Sequence, residues 1–173
     1  MRSAHVVYLS SKGANMETPT VNELGTVQAT QLQWLVDRAE ITDLVLDFAR
    51  CVDDRDMIKY AENFTEDGEL VLHAIHLKGR DQILSIPGFP PEWAAHHLIG
   101  NILIDIDGDV AHTRTYVVAT HVFDPATPSD TAQAGGWYLQ DLRRTPDGWR
   151  FTRAEVRTVW ETEKPLFPQP ELS

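Results

Sequence analysis

The strongest hydrophobic pattern in the chain lies between residues 41 and 52. Ile41, Leu44, Val45, Phe48 and Val52 recur at i, i+3, i+4, i+7 spacing. That spacing places an apolar stripe along one face of an α-helix and predicts a surface for it to bury against. A turn over 31–36 is expected to lead into this helix. Asp56 precedes a second short helical pattern over 57–64, where its carboxylate can accept from free backbone N–H groups as an N-cap. Glu66-Asp67-Gly68 reads as the turn that ends this helix, with a strand following over 69–73. Gly79-Arg80-Asp81 opens a third short helix, and Pro87, Pro90 and Pro91 interrupt the chain before Trp93.

From about residue 95 the chain reads as strand. The segments 97–106, 110–123, 136–144 and 149–160 are rich in β-branched and aromatic residues. Asp107-Gly108-Asp109 and Thr145-Pro146-Asp147-Gly148 are tight turns, so the strands they join are antiparallel neighbours. A longer polar loop is expected over 124–134. Helices followed by a meander of long strands make an α+β domain. The expected architecture is a cone-shaped, curved antiparallel sheet with the N-terminal helices on its concave face, enclosing a pocket of the kind that takes small ligands. The domain is expected over 26–163, with a leader over 1–25, in which Met16 is a second candidate start, and a proline-rich tail over 164–173.

Composition narrows the function classes. The chain has 173 residues, 42% of them hydrophobic and 24% charged, which suits one folded domain. Its net charge is −11 and no stripe of Lys and Arg is visible, so nucleic acid is excluded as a partner. No apolar run approaches the ~20 residues of a membrane helix, so no membrane association is expected. Cys51 is the sole cysteine. It rules out an intrachain disulfide and a CxxC metal site, and it fits a reducing cytoplasm. His73, His76, His96 and His97 show no HxH or HExxH unit on a helix face, so no metal is expected. GxSxG, Walker and GxGxxG motifs are absent, and no cofactor is expected.

The titratable candidates follow from their positions. Asp53 sits on the flank of the helical stripe beside Ala49, where it either looks inward or forms a solvated turn. His97 alternates with Ile99, Asn101 and Leu103, a mixed face that suits a pocket wall. His96 shares an apolar packing face with Leu98, Ile102 and Ile104. His121 alternates with Val117, Ala119 and Phe123, where a histidine is either structural or catalytic. Asn101 can orient a ligand carbonyl or close a backbone gap. Tyr138, Trp137 and Trp160 are candidate pocket walls, with aromatic core as the alternative role.

Five segments in order carry a resemblance. They are Arg38-Ala39-Glu40-Ile41-Thr42-Asp43-Leu44, Val52-Asp53-Asp54-Arg55-Asp56, Phe64-Thr65-Glu66-Asp67-Gly68, His96-His97-Leu98-Ile99-Gly100-Asn101 and Asp147-Gly148-Trp149-Arg150-Phe151. Together they resemble the SnoaL-like branch of the nuclear-transport-factor-2-like superfamily, which is similar to scytalone dehydratase, lindane dehydrochlorinase and polyketide cyclases. The resemblance spans roughly residues 30–162 and implies an Asp53–His97 pair for proton abstraction, with His121 as a second pocket histidine acting as the acid. Val52 and Leu72 stand where the dehydratase carries tyrosines. The implied substrate-binding set is Asn101, Tyr138, Trp137, Leu72, Val52, Phe123 and Trp160. The implied activity is that of a cofactor-independent lyase or isomerase on a small apolar cyclic or polyketide-like substrate. A non-catalytic small-molecule-binding or assembly module of the same fold is the alternative, and a homo-oligomer, dimer or trimer, is implied by analogy.

Overall fold

The computed structural model describes residues 21–73, 75–86 and 89–162. The chain divides into two units, Met1–Gln33 and Trp34–Ser173. In the first, the described residues 21–33 are helical; the rest of the expected leader and the expected tail lie outside the described residues. Helix α1 runs Val21–Asp54, so the turn expected over 31–36 is helix instead. No proline interrupts the sequence there to stop propagation.

In the second unit α1 is followed by α2 (Met57–Glu62), β1 (Phe64–Leu72), β2 (Ile75–Lys78), α3 (Arg80–Leu84), β3 (Ala94–Asp107), β4 (Val110–Val122), β5 (Thr131–Thr145) and β6 (Gly148–Glu161). The six strands form one curved, unclosed sheet in the order β2-β1-β6-β5-β4-β3. All pairs are antiparallel except β1 with β6. This arrangement is the expected α+β class, with one parallel pair where an all-antiparallel sheet was expected. Residues 66–68, expected as a turn, lie inside β1, and the short strand β2 was not expected at all. β1 extends through 66–68 where it lies beside β6, a partner distant in sequence, and β2 is a four-residue strand that folds back locally on β1.

The helical stripe buries as its spacing requires. Ile41, Val45, Phe48 and Cys51 are almost fully covered, and Phe48 sits at the centre of an aromatic cluster. Its ring lies 4.9 Å from Tyr60, 4.9 Å from Tyr138 and 5.4 Å from Phe151. These contacts lock α1 and α2 onto the inner faces of β5 and β6. Asp56 caps α2 by accepting from the Lys59 N–H at 3.0 Å.

A second tie holds the opposite end of the domain. Asp37 is 3% exposed, and its carboxylate accepts two hydrogen bonds from the Arg144 guanidinium, at 2.6 and 2.7 Å, and one from the Trp149 indole N–H at 3.3 Å. Arg144 also stacks over the Trp149 ring and donates to Asp109. The β5–β6 hairpin is thereby stapled to α1 by a bidentate, charge-assisted pair. No described helix is long and apolar enough to cross a membrane.

β3 carries one extra residue. Its register with β4 jumps between Gly100 and Leu103, and Asn101 takes a left-handed backbone with φ 48°. Asparagine tolerates that conformation better than other side chains except glycine. The consequence is a change of face: Ala95, His97 and Ile99 point inward before the bulge, and Ile102, Ile104 and Ile106 after it. The simple alternation expected across His97, Asn101 and Leu103 therefore fails at Asn101, and with it the pairing of His96 with Ile102 and Ile104.

Candidate functional site

Between the end of α1, α2 and the inner face of the sheet lies a cavity of about 140 Å³. Its walls are mostly apolar: Phe48, Val52, Met57, Leu72, Ile86, Phe89, Val117, Ala119 and Val156. The polar groups that reach it include His97, His121, Tyr60 and Tyr138, with Arg55, His73, Arg157, Thr158 and Glu161 also contributing to the lining.

Asp53 stands in the last turn of α1 and meets His97 on β3. The His97 Nδ1–H donates to Asp53 Oδ1 at 2.6 Å, and the His97 backbone N–H donates to Oδ2 at 3.0 Å. One carboxylate thus fixes both the ring and the backbone of the same residue. The His97 side chain is 8% exposed and that of Asp53 21%. Burial by itself would raise the Asp53 pKa, but the hydrogen bonds from the His97 ring and backbone outweigh it and hold the carboxyl below its ordinary 3.8. An ionised Asp53 accepts from Nδ1, which fixes the proton there and leaves Nε2 with its lone pair.

His121 lies on the neighbouring strand, with its ring 5.7 Å from that of His97 in an edge-on arrangement. It is 1% exposed and packed against the edge of Phe89 at 4.2 Å. Burial, with the nearby His97 adding to it, pushes its pKa down to about 4. His121 is therefore a weaker base in the folded protein than a free imidazole. Its Nδ1 is buried without a hydrogen-bond partner among the described residues.

Of the residues expected around a substrate, Val52, Leu72 and Tyr138 line the cavity. Four others do not. Asn101 is exposed at the β3 bulge, on the face away from the cavity. Trp137 lies on the outer face of the sheet, edge-on to Tyr116 and under the Arg114 guanidinium. Trp160 is 47% exposed. It packs against Gly135, where an added Cβ would come within 2.3 Å of its ring. Phe123 is one layer back, packed against Trp93 at 4.5 Å rather than on the cavity. A bulge in β6, between the residues opposite Gly135 and Gly136, offsets Trp160 from the inward-facing Thr158. Tyr60, Phe89 and Ile86 are lining residues that sequence reasoning missed. Only Tyr60 had a visible signal, the i, i+3, i+4, i+7 spacing of Met57, Tyr60, Ala61 and Phe64.

The segment before β3 is held over the cavity by Arg55. Its guanidinium donates to the carbonyl oxygens of Pro90, Pro91 and Trp93. Among the described residues no group of three or more His, Cys, Asp or Glu is placed to hold a metal ion. His76 pairs with Glu69 and His73 with Thr158, and His96 faces outward.

Comparison with known proteins agrees with this architecture. The model of the SnoaL-like domain matches residues 33–155. Uncharacterized proteins of Mycobacterium tuberculosis and Mycobacterium bovis are 31% identical over 123 residues, covering 68% of this chain and 82% of theirs. Among solved structures, a putative scytalone dehydratase from Novosphingobium aromaticivorans superposes with a TM-score of 0.66 at 24% identity, covering 77% of this chain and 91% of that one. A hexachlorocyclohexane dehydrochlorinase from Novosphingobium barchaimii gives a TM-score of 0.66 at 21% identity, covering 81% and 99%. An NTF2-like protein with a cystatin-like fold from Novosphingobium aromaticivorans gives a TM-score of 0.65 at 25% identity, covering 80% and 90%.

Proposed function

This chain belongs to the SnoaL-like domain family, and from that premise we propose that it is a cofactor-independent lyase or isomerase whose base is the Asp53–His97 pair. The observation that carries the reading is the 2.6 Å hydrogen bond from His97 Nδ1 to Asp53 Oδ1 beside an apolar cavity that His97 lines.

The chemistry follows from the fixed tautomer. With its Nδ1 proton committed to Asp53, His97 presents the Nε2 lone pair to a bound molecule. It takes a proton from a carbon acidified by a neighbouring carbonyl or leaving group, and the imidazolium so formed is stabilised by the ionised carboxylate behind it. General base catalysis of this kind is worth ~10²–10⁴-fold. His121 stays uncharged and orients the bound molecule as a neutral hydrogen-bonding group, so the proton returns from His97 itself. That return either places it at a second carbon or releases it with a departing hydroxide as water. The mostly apolar walls select a small, largely apolar cyclic or polyketide-like substrate.

The test is a panel of apolar cyclic carbonyl, β-hydroxy and β-halo compounds incubated in D₂O, with mass spectrometry reading deuterium uptake or loss of water or halide. The wild type is expected to turn over at least one member, and Asp53→Asn and His97→Ala to lose that turnover while keeping the wild-type circular dichroism. Full turnover in either variant rejects the assignment. Tight stoichiometric binding with no turnover in the wild type assigns the chain to the carrier class instead.

A further inference from the structure

The sheet holds the His97 end of β3 weakly. β3 is an edge strand, paired with β4 alone. The register jump after Gly100 separates its first half, 94–100, from the rest of the ladder. That half offers the small residues Ala94, Ala95 and Gly100, and none of its apolar residues is fully buried. Apolar burial therefore does little to fix where His97 stands.

Two side chains at the end of α1 hold it instead. Asp53 accepts from the His97 ring and from its backbone N–H. Two residues on, the Arg55 Nη2 group donates to the carbonyl oxygens of Pro90 and Pro91 at 3.4 and 3.3 Å, and to that of Trp93, the residue before β3. Arg55 also closes the helix. The Asp56 N–H donates to the Cys51 carbonyl at 2.8 Å, the Arg55 N–H donates to that of Val52 at 3.2 Å, and Arg55 has φ 59°. This is the left-handed helix terminus that glycine commonly fills. An arginine there bears a conformational cost that glycine avoids. The backbone turn needs no side chain, so the carbonyl contacts are what distinguish arginine from glycine at this place.

We propose that Arg55 is a positioning residue for the base: by tying the segment before β3 to the helix end that bears Asp53, it keeps His97 aligned on that carboxylate. This role rests on the reading of His97 as the base, and Arg55 acts through Asp53 and His97 rather than on the reacting atoms. Asp53 and Arg55 leave the same helix end, and the groups they hold, His97 and Trp93, lie on the same stretch of chain. A strand fixed at one point can pivot about it, whereas one fixed at two points cannot. An imidazole that presents Nε2 to a bound molecule must keep its direction as well as its contact. The same tie places Phe89, which lines the cavity with its ring 4.2 Å from that of His121, and Trp93, which packs on Phe123. A planar guanidinium serves several carbonyls at once in a way that a lysine ammonium does not.

The experiment uses the full-length protein and two variants. Arg55→Gly keeps the left-handed backbone and removes the tie, and Arg55→Lys keeps a cation that can donate to a carbonyl. NMR reads hydrogen exchange of the His97 backbone N–H, with that of Gln140 in the central strand β5 as the measure of global opening. It also reads the ¹⁵N shifts of the His97 ring, at a pH high enough to keep the ring neutral, which report the nitrogen that carries the proton. In Arg55→Gly the His97 N–H is expected to exchange at least about tenfold faster, while Gln140 and the urea midpoint keep their wild-type values. The ring is expected to pass from Nδ1-protonated to a mixture of tautomers, and Arg55→Lys to recover part of both effects. Unchanged His97 exchange and ring shifts in Arg55→Gly overturn the proposal. So does equal acceleration at His97 and Gln140, which makes Arg55 a contributor to stability alone. A wild-type ring protonated on Nε2 rejects the base reading instead, and the exchange comparison still decides whether Arg55 holds the strand.

Discussion

At the scale of single residues, Asn101 and His97 show how one backbone position governs a site. His97 faces the cavity and Asn101 faces solvent because the left-handed turn at Asn101 inserts a residue into β3. Replacing Asn101 by glycine is expected to change stability by a few tenths of a kcal/mol, since glycine adopts that conformation freely. Replacing it by valine is expected to cost about 1–2 kcal/mol, because a β-branched side chain resists it. Urea unfolding of the two variants checks both numbers, and equal stabilities would remove the bulge as the cause. The Asp53–His97 contact was legible at this scale only through the resemblance of the flanking segments. Periodicity placed Asp53 on the flank of a stripe and His97 on a mixed face, but it held no information that the two would meet.

At the scale of elements, the helices and long strands were largely legible because their signals are local. The stripe from Ile41 to Val52, the Asp56 cap and the glycine turns at Gly108 and Gly148 each act within a few residues, and the elements formed where these signals lie. β2 pairs locally with β1 but is only four residues long, too short for its alternation to stand out, and β1 was poorly legible because its long-range partner is β6, at the far end of the domain. The Asp37 staple was invisible for the same reason: an acid on a helix gives no hint of an arginine and a tryptophan on a distant hairpin. Asp37→Ala leaves Arg144 and the Trp149 N–H short of their acceptor, and a loss of about 3 kcal/mol is expected, at the lower end for a broken buried pair because Arg144 keeps Asp109. The measurement is the urea midpoint of the variant against the wild type. A shift below about 1 kcal/mol would reduce the staple to a surface contact.

At the scale of the whole molecule, the burial of His121 makes stability depend on pH. In the unfolded chain His121 takes up a proton near 6.5, whereas in the folded protein it does so near 4. Between those values the unfolded state binds more protons, so acid favours unfolding, by about 3 kcal/mol once both limits are passed. Asp53 adds to the loss at lower pH. Its carboxyl is held below 3.8, so its stabilisation is present above that value and disappears as the pH falls through the folded pKa. A net charge of −11 that diminishes in acid acts the other way, so the clean readout is the difference between the wild type and His121→Leu. The wild type is expected to lose stability relative to that variant between pH 6.5 and 4, measured by urea unfolding at several pH values. Parallel pH curves for the two proteins would mean that His121 is hydrated and the cavity wet.

The amino-acid sequence alone determined the helical stripe, the cap, the turns, the α+β class and the presence of an acid and two histidines suited to proton transfer. Each of these depends on side-chain type and spacing within a dozen residues. Only the tertiary structure decided which side chains share the cavity. It brought Tyr60 and Phe89 to the cavity, and it set Asn101 and Trp160 outside it at one-residue bulges in β3 and β6, while Trp137 faces outward by simple alternation beside the inward Tyr138. It also decided that the His121 pKa is lowered, since the pKa of an imidazole is set by how completely other parts of the chain strip it of water.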